Sequence, residues 1–207
     1  MTYQELINNI RDLGFSDDSE IEDFGELVPN GINRAITEIN LEVAPIVERY
    51  ELEITDDDTG LLYVTMPDVD ENFLDFGETP VRVRTGRTTT VKNSDGAEET
   101  VEEETYTKFS DYDIEAGDTL VIDQDKHKGT FRIFYKVAHV NYDGSQLTEE
   151  LPLPKKVHRL VELLASYYIW LEDEPVKAAQ YYNLYDQKKS DLSINAKPRM
   201  RVLAGGI

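Results

Sequence analysis

The spacing of apolar residues changes period twice along the chain. Tyr3, Leu6, Ile7, Ile10 and Leu13 recur at helical spacing and make one stripe. Thr2 and Glu5 form the S/T-x-x-E pattern that satisfies two orphan N–H groups at a helix start, and Gly14 is the stop signal. After the acidic segment Ser16–Glu20, a second helix is predicted from Ile32, Ala35, Ile36 and Ile39. Pro29 lies in its first turn and Pro45 ends it.

From Ile46 to Tyr142 the period becomes two. Tyr50, Leu52 and Ile54 alternate with glutamates. Leu61–Met66, Val81/Val83, Thr88–Val91, Thr105–Phe109, Leu120–Ile122 and Phe131–Tyr135 are further strand candidates. Asp95-Gly96 is the strongest hairpin-turn signal in the chain. Glu98–Glu104 predicts an exposed, twisted or flexible hairpin arm. Short strands with turns between them predict a small antiparallel sandwich or barrel, with a flat sheet as the alternative.

Helical spacing returns after Leu151-Pro152-Leu153-Pro154. Val157, Leu160, Val161, Leu164, Tyr167, Tyr168 and Leu171 predict a helix over Lys155–Leu171. Asp173-Glu174-Pro175 is a break and restart, and Val176, Ala179, Tyr182, Leu184 and Tyr185 carry another helix to about Ile194. The expected fold is therefore α+β: a small four-helix bundle from 1–45 and 151–194, an inserted antiparallel β-rich domain over 46–150, and an extended C-terminal tail over 195–207.

Charge sharpens this division. The chain carries 21 Lys/Arg and 42 Asp/Glu, a net of −21. Residues 1–154 hold 12 cations and 36 carboxylates, a net of −24, whereas 155–207 hold 9 and 6, a net of +3. A chain this acidic repels nucleic acid and anionic membranes as a whole. Disorder is opposed by 40% hydrophobic and 10% aromatic residues. The absence of Cys excludes disulfides, zinc thiolates and a thiol nucleophile, and fits an intracellular protein. The N-terminus lacks the basic and apolar regions of a signal peptide, and no apolar run approaches the roughly 18 residues of a membrane span.

No specific catalytic signal is present. His127, His139 and His158 stand in no zinc-hydrolase spacing, and they read as surface or rim residues. Asp56-Asp57-Asp58-Thr59-Gly60 gathers oxygens but lacks the spacing and distant glutamate of a calcium loop, so it reads as a solvated turn. No phosphate-binding glycine loop or nucleophile elbow occurs. The expectation is no enzyme, no cofactor and no metal.

Two features suggest binding instead. Tyr167, Tyr168, Trp170, Tyr181, Tyr182 and Tyr185 cluster in the last two helices. They fit a bundle core, but Trp170 and Tyr181 fall off the main stripe. A subunit interface built on Tyr167, Trp170, Tyr181 and Tyr185 is therefore the alternative. The tail residues Lys197, Pro198, Arg199, Met200, Arg201, Val202 and Leu203 combine three cations with an apolar end and no carboxylate. They read either as a free terminus or as an arm that orders on a partner.

Three segments carry a resemblance: MTYQELI, ELVPNGINRAITEIN, and LPLPKKVHRLVELLASYYIWLEDEPVKAAQYYNLY. Together they resemble the head–tail connector (adaptor, head-completion) proteins of tailed bacteriophages. The resemblance covers nearly the whole chain and is most specific in the last helical pair. It implies a structural virion protein at the neck, made in the host cytoplasm and forming a ring, commonly of twelve copies, between portal and tail. The implied partners are the portal protein, tail or neck proteins and further copies of itself, with DNA only passing through the lumen. It assigns Lys197–Leu203 to the portal-binding arm and the helices at 2–41 and 155–194 to the ring body. The size and acidity of the insertion depart from the pattern. Alternative readings are a neck or tail-completion protein that binds the adaptor, and a carbohydrate- or host-surface-binding module built on the insertion.

Overall fold

The computed structural model describes residues 1–14, 25–92 and 98–196. The chain divides into two compact units, one from Met1–Pro45 with His139–Ile207, the other from Ile46–Ala138.

The first unit is helical: α1 (Tyr3–Gly14), α2 (Leu27–Glu42), a 3-10 turn (Lys155–Val157), α4 (His158–Trp170) and α5 (Pro175–Ala196). The predicted α1 cap forms on both sides. The Thr2 backbone N–H donates to Glu5 Oε2 at 3.0 Å, and the Glu5 N–H donates to Thr2 Oγ1 at 3.2 Å. The next orphan donors are met by a loop, with Tyr3 N donating to the Glu149 carbonyl at 3.1 Å and Gln4 N to that of Leu147 at 2.9 Å. At the other end of α1, Tyr181 Oη donates to the Leu13 carbonyl and Lys177 Nζ to that of Gly14, both at 2.6 Å. A cation at that end also complements the helix dipole.

The expected four-helix bundle with one inserted β domain is corrected. Five α-helices occur among the described residues, and one, α3 (Met66–Val69), lies in the β-rich unit. The helical unit is organised around α4, which packs against α1, α2 and α5. Leu160, Val161, Glu162, Leu163, Leu164, Ala165 and Ser166 are buried in succession. A helix covered on every side is a central element rather than one corner of a bundle. Gly31 of α2 permits the closest approach: a Cβ there would stand 2.7 Å from Ile169 Cγ1 and 3.2 Å from the Ala165 carbonyl oxygen.

Residues 139–150, expected with the insertion, belong to the helical unit. Asn33 holds them there. Its amide donates to the Tyr142 carbonyl at 2.9 Å and its carbonyl accepts from the Tyr142 N–H at 2.8 Å, which reproduces a strand pairing with one side chain. The Tyr142 ring stacks on Tyr3, with centroids 4.4 Å apart.

The second unit forms two separate antiparallel sheets. Strands β1 (Val47–Ile54), β7 (Gly129–Val137), β3 (Phe73–Lys92) and β4 (Glu98–Lys108) lie side by side in that order. The second sheet orders β2 (Leu61–Thr65), β6 (Thr119–Asp123) and β5 (Asp113–Glu115). Both contribute to one apolar cluster, with Val64, Leu120 and Ile122 from the smaller sheet and Ile54, Phe76, Val81, Phe131 and Ile133 from the larger. Val81/Val83 and Thr88–Val91, expected as separate strands, belong to the single strand β3.

That strand outruns its sheet. Its pairing with β7 ends at Val83↔Phe131, but its pairing with β4 continues to Lys92↔Glu98. Residues 84–92 and their partners therefore form a two-stranded ribbon that extends roughly 30 Å past the last β7 contact. The Asp95-Gly96 turn lies outside the described residues.

Candidate functional site

The expected subunit interface changes once the burial of its members is considered. Trp170 is 1% exposed, Tyr185 1% and Tyr181 8%, so these three sit in the protomer's own core and offer nothing to a partner. Each has an internal task. Lys177 Nζ lies 3.1 Å from the centroid of the Trp170 ring, and Tyr181 caps α1. Burial, with a smaller contribution from Glu174, pushes the Tyr181 hydroxyl up, so it stays a donor. Tyr167 alone of the four is half-buried. The arm Lys197–Leu203 lies outside the described residues.

Surface aromatics and aliphatics flank this core instead. The Tyr167 ring contacts those of Tyr168 and Tyr182 at 5.0 and 5.1 Å between centroids, and Tyr182 remains 43% exposed. Among the described side chains of α5, Ala178, Tyr181 and Tyr185 are the buried apolar ones, while Val176 and Leu184 face solvent.

A groove of about 720 Å³ lies between α2 and α4. Arg34 and Glu38 approach it from α2, and Tyr168 and Glu172 from α4. The Arg34 guanidinium lies 4.1 Å over the Tyr168 ring, whose hydroxyl donates to Glu38. Burial and then the Glu38 carboxylate hold the Tyr168 hydroxyl far above its ordinary range. Tyr185 Oη reaches the other Glu38 oxygen at 3.4 Å. One turn on, Lys189 pairs with Glu42 at 2.7 Å. The exposed Leu27 and Leu41 border the groove. Tyr, Arg and Leu around satisfied carboxylates suit macromolecular contact. Glu38 is held by the Tyr168 and Tyr185 hydroxyls, one at each carboxylate oxygen.

The histidines and the aspartate turn have local partners. His127 contacts Asp111 at 2.6 Å and packs edge-on against Phe109. His158 contacts the Leu153 carbonyl at 2.9 Å. His139 lies 3.3 Å from Asn33 Oδ1, and burial depresses its pKa to about 4. At the aspartate turn, Asp58 accepts from the Thr55 N–H at 2.6 Å and hydroxyl at 2.8 Å, which lowers its pKa. The Lys128 ammonium donates to the carbonyls of Thr55 and Asp58, filling the place a bound cation would take. Among the described residues no cluster of three or more His, Asp or Glu is placed to hold a metal ion, and no helix is long and apolar enough to cross a membrane.

Sequence reasoning missed the Asn33 clamp and the Asn9–Glu162 contact. Asn9 Nδ2 donates to the buried Glu162 at 2.8 Å, and Arg159 pairs with its second oxygen. A glutamate in the midst of the apolar run Leu160–Leu164 was the available signal for the second. In comparisons with known proteins, no family model and no curated protein matches the chain.

Proposed function

We propose that this protein is a structural assembly component, a head–tail adaptor of a tailed bacteriophage that joins copies of itself into a ring and docks on the portal. The observation that carries this reading is the reunion of the resembling segments. Residues 1–45 and the helices after 155 are separated by about a hundred residues, yet they make one compact unit around α4. The apolar residues left on that unit's surface, Leu41 at 63%, Val176 at 77% and Leu184 at 47% exposed, supply contact area for partners. In a ring, a wall carrying −21 per subunit lets DNA pass without gripping it. The tail Lys197–Leu203 is the portal arm in this reading.

The test is electron microscopy and mass photometry of the purified protein, alone and mixed with the portal protein encoded in the same phage genome. Closed rings, or co-migration with portal, are expected. Removal of residues 197–207 is expected to abolish portal docking and leave the circular dichroism spectrum unchanged. A protein that stays monomeric and ignores portal at every ratio overturns the reading.

A further inference from the structure

Positive charge is scarce in this chain and locally concentrated. Lys155 and Lys156 fill the 3-10 turn that leads into α4, and Arg159 follows in the first turn of that helix. Lys156, Arg159 and, from α5, Lys188 line a groove of about 290 Å³ with Leu160 and Leu192, and Asp191 is the carboxylate in its lining. Arg159 pairs with Glu162. Lys155, Lys156 and Lys188 are exposed and form no ion pair with another described residue. Cations at a helix N-terminus meet the positive end of its dipole, which raises the helix's energy. Helix stability therefore does not account for Lys155 and Lys156.

We propose that this groove receives the acidic β4 strand of a second copy of the chain. The complementarity is within one sequence: Glu98, Glu99, Glu102, Glu103 and Glu104 fall in the first seven residues of β4. β4 is the last strand of its sheet and pairs only with β3 along the ribbon, so it is an edge strand. Unlike surfaces of identical chains then meet, a heterologous contact that repeats and closes into a ring. This deepens the self-assembly part of the function proposed above and rests on it. Duplex DNA is the other polyanion to weigh. Three or four cations in the field of a −21 chain release few counterions, so the local strand is favoured over DNA.

The experiment uses full-length protein in two charge-reversed forms, Lys156→Glu/Lys188→Glu and Glu102→Lys/Glu103→Lys/Glu104→Lys, followed by sedimentation velocity. Each form alone is expected to lose at least tenfold in assembly relative to wild type. An equimolar mixture is expected to recover it, because the acidic groove of one form meets the basic strand of the other. Recovery on mixing also shows that both forms are folded. A groove variant that assembles like wild type, or a mixture that stays monomeric, overturns the inference and leaves the ring reading standing. Loss of duplex DNA binding by the groove variant with assembly unchanged overturns it in favour of DNA. A wild-type protein that never assembles, alone or with portal, removes both.

Discussion

Lys177 and Trp170 meet face-on, with the ammonium nitrogen 3.1 Å from the centroid of the indole, and the same ammonium holds the carbonyl of Gly14 at 2.6 Å. Through this contact the end of α1 is fastened to both later helices. Gly14 fits because it has no side chain: a Cβ would stand 2.8 Å from Trp170 Nε1 and 2.8 Å from Tyr181 Oη.

Gly14→Ala is therefore expected to destabilise the protein by about 1–3 kcal/mol through overpacking. Trp170 is the sole tryptophan, so its fluorescence reports the site directly. Urea titration should show a lower midpoint with little change in slope. An unchanged midpoint would show that the α1 end shifts freely.

His139 makes stability depend on pH. Its folded pKa, about 4, lies below the ordinary 6.5, so the unfolded chain binds the extra proton between these values. This contribution is fully present above pH 6.5 and is lost as pH falls toward 4, by about 2–3 kcal/mol in all. His139→Gln should flatten the part of the stability–pH curve between 4 and 6.5 relative to wild type. Parallel curves for the two proteins would refute the assignment.

Asn9 is predicted to matter through the buried Glu162. Asn9→Ala withdraws a donor and should cost about 1–3 kcal/mol. Asn9→Asp sets a second carboxylate beside Glu162, so its loss should be larger at pH 7. Urea denaturation of both variants at pH 7 checks this order.

The ribbon should be dispensable for folding. Joining Thr85 to Thr105 through Asn-Gly removes it but keeps Val81, Val83, Phe109 and Phe131 with the core. Thermal unfolding is expected within a few degrees of wild type. The shortened protein should lose self-assembly if β4 is the strand that docks on a neighbour.

Much of the secondary structure was legible because local rules act over a few residues. The Thr2–Glu5 cap, Pro175 at the start of α5 and the alternation in β7 all form where their patterns place them. The short helix Met66–Val69, the small strand Asp113–Glu115 and the continuity of β3 were not legible. Each depends on pairing or packing with residues far away in sequence. For the candidate site, the aromatic cluster was visible as composition, but which of its members face inward was not. Trp170 and Tyr181 lie off the main apolar stripe, and they are buried because α1 ends against them.

By itself the sequence determined that helical segments flank a period-two block and that the negative charge is concentrated before residue 155. Periodicity and composition are local properties, so no tertiary information was needed. Only the tertiary structure decided that α4 is surrounded rather than cornered, that two sheets share one core, and that residues 139–150 return to the helices. These outcomes depend on which buried surfaces meet, such as Gly31 against Ile169 and Asn33 against Tyr142, and a linear pattern does not encode that choice.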